Sequence, residues 1–335
     1  MVILFWQKKI NLKIHILNKT STSPWGGGNQ FLDYLKSKLK KKNCYANEIS
    51  SDVILFNSHH DINNLLKLKY IYQDTKKFVH RIDGPIKNYR NDGYRVDKLI
   101  FLINKYLADG TIFQSNYSLK KTKLLTNINN PIKIIYNEAN KKFFFKKRYK
   151  YKSKNKKINL LSVSWSDNML KGFKYLKYLD DNLDFDKYKM NFIGNTPVKF
   201  KNINIIPPVK SKELGKRIRQ TDIFIFPSIV ESCSNTLLEA MSCRVPVVAL
   251  NSSSNPEIFN GYGKLFDNKK DLIKKINTIN FKIKHKIKNE KKQNVENLYI
   301  NFFKKNFKRK KLNFFILIFL RIYLLKFYLI QKLKW

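Results

Sequence analysis

The sequence of 335 residues has few acidic residues: 24 Asp and Glu stand against 67 Lys and Arg, which gives a formal net charge of +43. A surplus of this size attracts polyanions, and nucleic acid, anionic lipid and phosphorylated substrates all qualify. The surplus is mostly Lys, accompanied by many Asn, Ile, Phe and Tyr, and genomic AT bias explains such a composition equally well. Charge alone therefore leaves open what the protein binds.

Cysteine is also scarce. Cys44, Cys233 and Cys243 are odd in number and lack the paired spacing of a disulfide framework or a zinc site, which predicts a reducing, cytosolic location. The apolar run from Met1 to Trp6 precedes two lysines and is too short for a signal peptide. Because no His, Asp and Glu cluster has the spacing of metal ligands, we expect no metal.

Short β-rich runs alternate with amphipathic helical stretches, which predicts parallel sheets covered by helices. A helix is predicted from Gln30 to about Lys40, since Phe31, Leu35 and Leu39 recur at helical spacing. The predicted strands are 13–17, 53–56, 77–82, 111–114 and 132–136 in the first half, and 158–164, 190–193, 203–206, 222–227 and 245–250 in the second. The fold class predicted is α/β, with two Rossmann-like domains facing across a cleft.

A basic stretch separates the two halves, and a basic, apolar tail ends the chain. The predicted boundaries are 1–147 for the first domain, 148–157 for a linker, 158–280 for the second domain and 281–335 for a helical tail. Residues 281–311 are predicted to form a basic helical stretch, and 313–330 are almost wholly apolar.

At about 1.5 Å per residue, a helix over 314–330 reaches roughly 25 Å, which is marginal for crossing a bilayer. Arg321 and Lys326 interrupt this apolar run and make crossing costlier. We expect the helix to lie in the plane of a membrane or half inserted, with the preceding lysines on anionic headgroups. The alternative is a buried helix that packs across both domains.

The segment DIFIFPSIVESCSNTLLEAMSCRVPVVAL, residues 222–250, is the most informative for chemistry. A predicted strand is followed by a loop that contains Glu231 and then by a helix that contains Glu239. Free N–H groups at the helix start make a phosphate site, and the two carboxylates can accept hydrogen bonds from hydroxyls on either side of a bound pyrophosphate. The alternative is that Thr236 and Glu239 form a capping box.

This segment resembles the donor-binding signature of family 4 glycosyltransferases: two glutamates separated by seven residues, a small-residue helix and a Pro-Val-Val strand at 246–248. The resemblance implies that Glu231 holds the sugar hydroxyls of the donor and that Glu239 holds the ribose. It also implies that the backbone amides of Ser234, Asn235 and Thr236 hold the distal phosphate. Arg244 stands where the family usually has a glycine.

A second matching element is VSWSDNMLKGF, residues 163–173. The family has a Lys-Gly here whose lysine pairs with the donor phosphates, and Lys171 takes that part. Trp165 and Ser166 stand where many relatives supply an arginine, which puts more of the charge neutralisation on Lys171.

The glycine-rich sequence SPWGGGNQF, residues 23–31, predicts a tight turn before a helix. Its place matches the flexible glycine loop near the donor phosphate in the same family. The resemblance therefore implies that Gly27 and Gly28 contact the donor.

The sequence FVHRIDGP, residues 78–85, ends a predicted strand. The family places a histidine at the end of this strand to contact the transferred sugar, which implies that role for His80. Arg81 and Asp83 are candidates for acceptor or donor contacts. His59 and His60 follow the preceding strand and are interpreted mostly as loop residues.

The resemblance covers about residues 13–266 and implies a GT-B fold and a retaining, hexosyl-type glycosyltransferase (EC 2.4). The catalytic residues implied are Glu231, Lys171 and His80. The partners implied are a UDP- or GDP-sugar, which is a substrate rather than a cofactor, and a glycan or lipid-linked acceptor in cell-surface polysaccharide biosynthesis. We expect a cytoplasmic protein that is peripheral or monotopic at the inner face of the membrane.

Two alternatives stay open at this stage. One is a nucleotide-sugar epimerase of the same fold. The other is a basic nucleic-acid-binding protein, although the sequence contains no helix-turn-helix, zinc finger or aromatic RNP-type motif, so we expect no nucleic-acid partner.

Overall fold

The computed structural model describes residues 12–18, 27–90, 93–146, 157–259, 261, 263–279 and 294–332. Its first domain alternates strands and helices. The elements in chain order are β1 (Ile14–Leu17), α1 (Gly27–Lys41), β2 (Val53–Asn57), α2 (Ile62–Tyr72), β3 (Lys77–Ile82), α3 (Gly93–Leu107), β4 (Gly110–Phe113), α4 (Asn116–Lys123) and β5 (Ile132–Ile134).

The first sheet is parallel throughout, with the strand order β1-β2-β3-β4-β5. Strands β2 and β4 are buried along their whole length, as expected for a parallel sheet covered on both faces. Tyr45 forms a bridge with Ile14 on the outer edge of β1 before the chain crosses back to β2. From β1 the chain therefore first moves to the outer edge of the sheet and then returns past β1 to β2. This reversal is a topological switch point, and ligands of open α/β sheets bind at such points.

The second domain repeats the pattern. Its elements are β6 (Ile158–Ser164), α5 (Phe173–Asn182), β7 (Tyr188–Gly194), β8 (Asn204–Ile206), α6 (Ser211–Gln220), β9 (Ile223–Phe226), α7 (Asn235–Ser242), β10 (Val247–Leu250), α8 (Asn255–Phe259), β11 (Gly263–Phe266) and α9 (Lys269–Thr278). The strand order is β11-β10-β9-β6-β7-β8, all parallel, so the winding reverses between β6 and β9.

The tail contains α10 (Val295–Phe303) and α11 (Phe314–Lys332), and both helices pack on the first domain. Helix α10 shares a core with α1, where the rings of Tyr299 and Phe31 are 6.3 Å apart. Helix α11 shares a core with α2 and α3 on the opposite face of the sheet. The chain therefore returns to its first domain after completing the second.

The segment between α10 and α11 is fixed by a buried ion pair. Lys69 Nζ lies 3.0 Å from Asp109 Oδ1, and both side chains are fully buried. The same carboxylate accepts a hydrogen bond from the backbone N–H of Lys310 at 2.7 Å. The tail is thus attached to the first domain by hydrogen bonds as well as by apolar contacts.

The predicted strands are all present, with ends that differ by one to two residues at most positions. The prediction missed β11, a short strand in which only Leu265 and Phe266 are apolar and which Gly263 brings against β10. The predicted helical stretch 281–311 is wrong for residues 304–311, which are not helical. Residues 280–293 and nearly all of the predicted linker lie outside the described residues.

The alternative of a helix that packs across both domains is wrong, because the buried residues of α11 contact the first domain. By length and composition α11 is long and apolar enough to cross a membrane, and no other helix in the described part of the chain is. Its outward face is largely apolar and exposed.

Candidate functional site

Lys171 and Glu231 meet where the winding of the second sheet reverses. Lys171 ends a short 3₁₀ helix, Met169–Lys171, that follows β6, and Glu231 lies in the loop after β9. Lys171 Nζ is 2.8 Å from Glu231 Oε1, and Ser228 donates a hydrogen bond to the same oxygen at 2.6 Å. The structure thus brings together two residues that are sixty positions apart in the chain.

Gly172 explains how Lys171 reaches this position. Its φ is +86°, in the left-handed region that favours glycine, and a Cβ at this residue would lie 2.1 Å from the carbonyl oxygen of Pro227. Glycine therefore allows the turn to close against the end of β9. The Lys-Gly pair of the sequence is a requirement of backbone geometry as well as of charge.

Helix α7 begins beside this pair with its N–H groups available. Ser234 is the N-cap, and its hydroxyl accepts a hydrogen bond from the N–H of Leu237. The N–H groups of Asn235 and Thr236 have no intrahelical partner, as at any helix start. Because Ser234 rather than Thr236 caps the helix, the capping-box interpretation of Thr236 and Glu239 is wrong.

Glu239 is a buried carboxyl group in the second turn of α7. It is 6% exposed, and burial raises its pKa to about 8. In the described part of the chain its side chain has no hydrogen bond or ion pair. A carboxyl group in such a place is available for a hydroxyl donor that enters from outside.

The amino end of α1 faces the amino end of α7 across the two domains. Asn235 Nδ2 donates to the carbonyl oxygen of Gly27 at 2.5 Å, and a Cβ at Gly27 would be 3.0 Å from the same nitrogen. A Cβ at Gly28 would be 3.6 Å from Asp83 Oδ2. Gly27 and Gly28 form the first turn of α1 rather than a loop, so that part of the prediction is wrong, while residues 23–26 lie outside the described residues.

Arg81 connects both domains through a chain of hydrogen bonds. Its fully buried guanidinium donates to Asn57 Oδ1 at 2.7 Å, to Asp83 Oδ1 at 2.8 Å and to Asn137 Oδ1 at 2.8 Å. Asn137 in turn donates to Asn235 Oδ1 at 2.8 Å. The Arg81 guanidinium is therefore engaged within the protein, whereas the Asp83 side chain is 42% exposed.

His80 lies inside the first domain and not in the cleft. It is fully buried and stacked on Phe56, with Nε2 2.8 Å from the carbonyl oxygen of Ser58 and Nδ1 3.2 Å from Asn104 Nδ2. Burial lowers its pKa to about 3. Both ring nitrogens thus have partners inside the first domain, and the catalytic role of His80 stays a prediction.

The histidines closer to the cleft are His59 and His60, in the turn after β2. Their rings stack at 5.0 Å, and burial lowers the pKa of His59 to about 4. Burial also lowers the pKa of His60, while the charge of Asp83 opposes that shift. His60 is therefore within electrostatic range of Asp83.

Sequence reasoning missed two contacts that cross the cleft. The hydroxyl of Tyr89 lies 2.5 Å from that of Ser232, in the loop that follows Glu231. The carboxylate of Glu257, in α8, accepts hydrogen bonds from the N–H groups of Asn116 and Tyr117 at the start of α4. No local sequence signal marks Tyr89 or Glu257, because each contact joins distant parts of the chain.

No group of three or more His, Cys, Asp or Glu side chains in the described ranges could hold a metal ion. The positive groups at the site are Lys171 and the starts of α1 and α7, since helix amino ends carry partial positive charge. The site can therefore accept an anion with two or more negative oxygens.

The sequence matches one protein family and one curated protein. Residues 137–297 match the family described as glycosyl transferases group 1. A curated protein of Klebsiella pneumoniae, described as an uncharacterized 41.2 kDa protein in a cps region, is 29% identical over 224 residues, which cover 62% of this chain and 62% of that protein. The match thus spans less than two thirds of the length of the relative.

Solved structures share the fold. HepE of Anabaena, in complex with UDP and glucose, matches with a TM-score of 0.60 at 15% identity over 80% of this chain and 89% of that chain. The lipopolysaccharide outer core galactosyltransferase WaaB matches with a TM-score of 0.55 at 13% identity over 79% of this chain and 89% of that chain. Sucrose-phosphate synthase of Thermosynechococcus elongatus matches with a TM-score of 0.53 at 14% identity, over 77% of this chain and 71% of that chain. The two facing sheets therefore have the GT-B fold, and residues 137–297, slightly less than half of the chain, match the group 1 glycosyl transferase family.

Proposed function

We propose that the protein transfers a sugar from a UDP- or GDP-sugar to a glycan acceptor, with retention of anomeric configuration, in cell-surface polysaccharide biosynthesis. The observation that carries the proposal is the convergence of two helix amino ends, of α1 and α7, beside the Lys171–Glu231 pair. Two positive helix ends that face each other repel unless an anion lies between them. The diphosphate of a nucleotide sugar supplies such an anion.

In this proposal, the ion pair of Lys171 and Glu231 exchanges its partners when the donor binds. Lys171 turns to a phosphate oxygen, and Glu231 accepts hydrogen bonds from hydroxyls of the donor sugar. Before binding, each residue neutralises the other and is held close to its working position. Glu239 accepts hydrogen bonds from the ribose, and the N–H groups of Ser234 to Thr236 hold the distal phosphate.

The reaction is proposed to occur on one face of the sugar. The acceptor oxygen forms a bond to the anomeric carbon as the bond from that carbon to the diphosphate oxygen breaks, and the departing diphosphate takes the acceptor proton. Lys171 and the helix N–H groups stabilise the negative charge that develops on the leaving group. Asp83, exposed at the opposite wall, is placed to orient the acceptor or the donor sugar.

The ligands and names of the similar proteins support this proposal. The HepE structures contain UDP with glucose and UDP-glucose, and WaaB is named a galactosyltransferase. The Klebsiella relative is encoded in a cps region. These facts favour a nucleotide-sugar donor and a polysaccharide product.

We also propose that the protein works at the inner face of a membrane, with α11 lying in the membrane plane. One face of α11 packs on the first domain, so the helix cannot cross a bilayer without losing that packing. The other face exposes nine large apolar side chains, among them Phe315, Ile322 and Leu325. An acceptor linked to a lipid would be presented at the same surface.

The donor site is tested by thermal unfolding with UDP, GDP and their sugar conjugates, followed by a transfer assay. A nucleotide that binds only the folded state raises the melting temperature. We expect Glu231→Gln to lower kcat by about a hundredfold or more, on the order of removing one transition-state contact. Glu213→Gln is the matched control and should be unaffected, because this partly exposed residue of α6 is paired with Arg217 away from the site.

Full activity of Glu231→Gln would refute the assignment of Glu231 to the hydroxyls of the donor sugar. Conversion of the sugar nucleotide to an isomer, without transfer to an added acceptor, would instead favour the epimerase. Steeply salt-dependent binding of duplex DNA without nucleotide binding would favour the nucleic-acid alternative.

A further inference from the structure

A groove of about 260 Å³ lies between α3 and α11. The two helices run antiparallel, because Tyr106 near the end of α3 contacts Phe319 near the start of α11, while Val96 near the start of α3 lines the groove with Phe327. The groove is therefore formed by the first turns of α3 and the last turns of α11.

Positive charge gathers along one side of this groove. Arg95, Lys98 and Lys326 line it, all three are exposed, and none of the described residues that line it is acidic. The nearby Asp97 points inward, where its carboxylate accepts hydrogen bonds from the N–H groups of Ile86 and Lys87. The three cations are therefore without a carboxylate in the groove.

The remaining wall is apolar. Val96, Tyr323, Phe327 and Ile330 contribute to it, and it continues into the exposed apolar face of α11. A groove with cations on one side and apolar side chains on the other matches a ligand with an anionic head and a hydrocarbon chain. Its volume is below the usual range for a whole drug-sized ligand, so only the head and the first part of the chain would enter.

Hydrogen bonds connect the groove to the proposed sugar-transfer cleft. The hydrogen bonds of Asp97 attach the first turn of α3 to the single turn Ile86–Asn88. The next residue, Tyr89, reaches across the cleft to Ser232. A ligand head in the groove would thus lie at the entrance to the cleft, on the first-domain side.

We propose that this groove binds the phosphate end of a lipid-linked acceptor and the first part of its hydrocarbon chain. Arg95, Lys98 and Lys326 neutralise the phosphate, the apolar wall covers the chain, and the glycan extends into the cleft. The inference rests on the proposed function, because it assigns a place to the acceptor of that reaction.

The probe is farnesyl phosphate, a soluble prenyl phosphate, tested on the full chain without detergent or vesicles. Farnesol and inorganic phosphate serve as ligands that lack the charge and the chain, respectively. We expect farnesyl phosphate to bind at least about tenfold more tightly than either, and Arg95→Ala/Lys326→Ala to weaken its binding about tenfold or more. Lys212→Ala/Lys216→Ala on α6, which also removes two exposed cations, should leave binding unchanged.

Binding of UDP, measured on the same variants, separates this inference from the proposed function. Equal affinity of the wild type and Arg95→Ala/Lys326→Ala for farnesyl phosphate would overturn the groove assignment, even if UDP binding is normal. Equally tight binding of dihexanoylphosphatidylglycerol would also overturn it, because the groove would then be a contact for bulk membrane lipid. If the wild type itself does not bind the nucleotide, the result would instead count against the proposed transferase function.

Discussion

Gly172 and Arg244 show how single residues set the geometry of the second domain. Gly172 allows the Lys171 turn to approach β9 at a positive φ. Arg244, two residues after the end of α7, also has a positive φ, of 54°, and stands where the family that the segment resembles usually has a glycine. A non-glycine residue in this region costs about 1 kcal/mol, so the chain keeps the turn at a small loss of stability.

The buried carboxyl of Glu239 gives the clearest prediction for a single residue. Its pKa is raised from 4.5 to about 8, so between these pH values the folded state binds a proton that the unfolded state has released. Its contribution therefore lowers the free energy of unfolding as pH rises from about 4.5 to about 8, by an amount on the order of 5 kcal/mol. Glu239→Gln should remove this slope.

The measurement is urea unfolding of the wild type and Glu239→Gln across that pH range. Glu213→Gln again serves as the control, because its side chain is 41% exposed. Identical pH profiles for the wild type and Glu239→Gln would show that the carboxyl is charged or solvated in the folded protein.

At the scale of elements, α11 differs from the other helices because it is apolar on both sides. Leu317, Leu320, Leu324 and Phe327 recur at spacings of three and four and pack on the first domain. The opposite face holds half of the large exposed apolar side chains of the described residues. A surface helix normally has a polar outer face, so this one is suited to an interface.

We expect Phe315→Ser/Ile322→Ser/Leu325→Ser to reduce binding to anionic vesicles by at least about tenfold, since these side chains supply buried apolar area at the membrane. Flotation with phosphatidylglycerol-containing vesicles at physiological salt measures this. Ile49→Ser/Ile71→Ser/Leu124→Ser, which changes exposed apolar residues elsewhere, should still float. A wild-type protein that stays at the bottom of the gradient would contradict the membrane proposal.

At the scale of the whole molecule, the two domains are held in contact by side chains from both. Glu257 caps α4 with two hydrogen bonds, at 3.0 and 2.9 Å, and Tyr136 donates a third to it at 3.2 Å. Tyr89 contacts Ser232, and Asn168 donates to the carbonyl oxygen of Tyr89. Opening the cleft requires these contacts to break, which couples domain closure to the position of the loop that contains Glu231 and Ser232.

Glu257→Ala should therefore favour a more open molecule. Losing hydrogen bonds to a charged group costs about 1.5–3 kcal/mol, and a lower fraction of closed molecules weakens apparent nucleotide affinity by the same factor. We expect a larger radius of gyration by small-angle X-ray scattering and roughly tenfold weaker UDP binding. Glu213→Ala is the control, and an unchanged radius and affinity in Glu257→Ala would show that other contacts keep the cleft closed.

The sequence by itself determined the alternation of strands and helices and the segments that form the site around Lys171 and Glu231. Apolar runs must be buried whatever surrounds them, so the positions of β2, β3, β6 and β9 follow from the sequence. The Glu231, Glu239 and Lys171 motifs were visible for a similar reason, because each depends on a strand end and on the first turns of the helix or 3₁₀ turn that follows it.

Only the tertiary structure decided which first-domain side chains reach the cleft and where the tail lies. Along β3, alternate residues point to opposite faces of the sheet, so His80 is buried against Phe56, while Asp83, beyond the strand end, is exposed. The apolar tail could have covered any surface by its composition alone. Its place on the first domain follows from contacts between residues more than two hundred positions apart, such as Lys310 with Asp109, which no local pattern records.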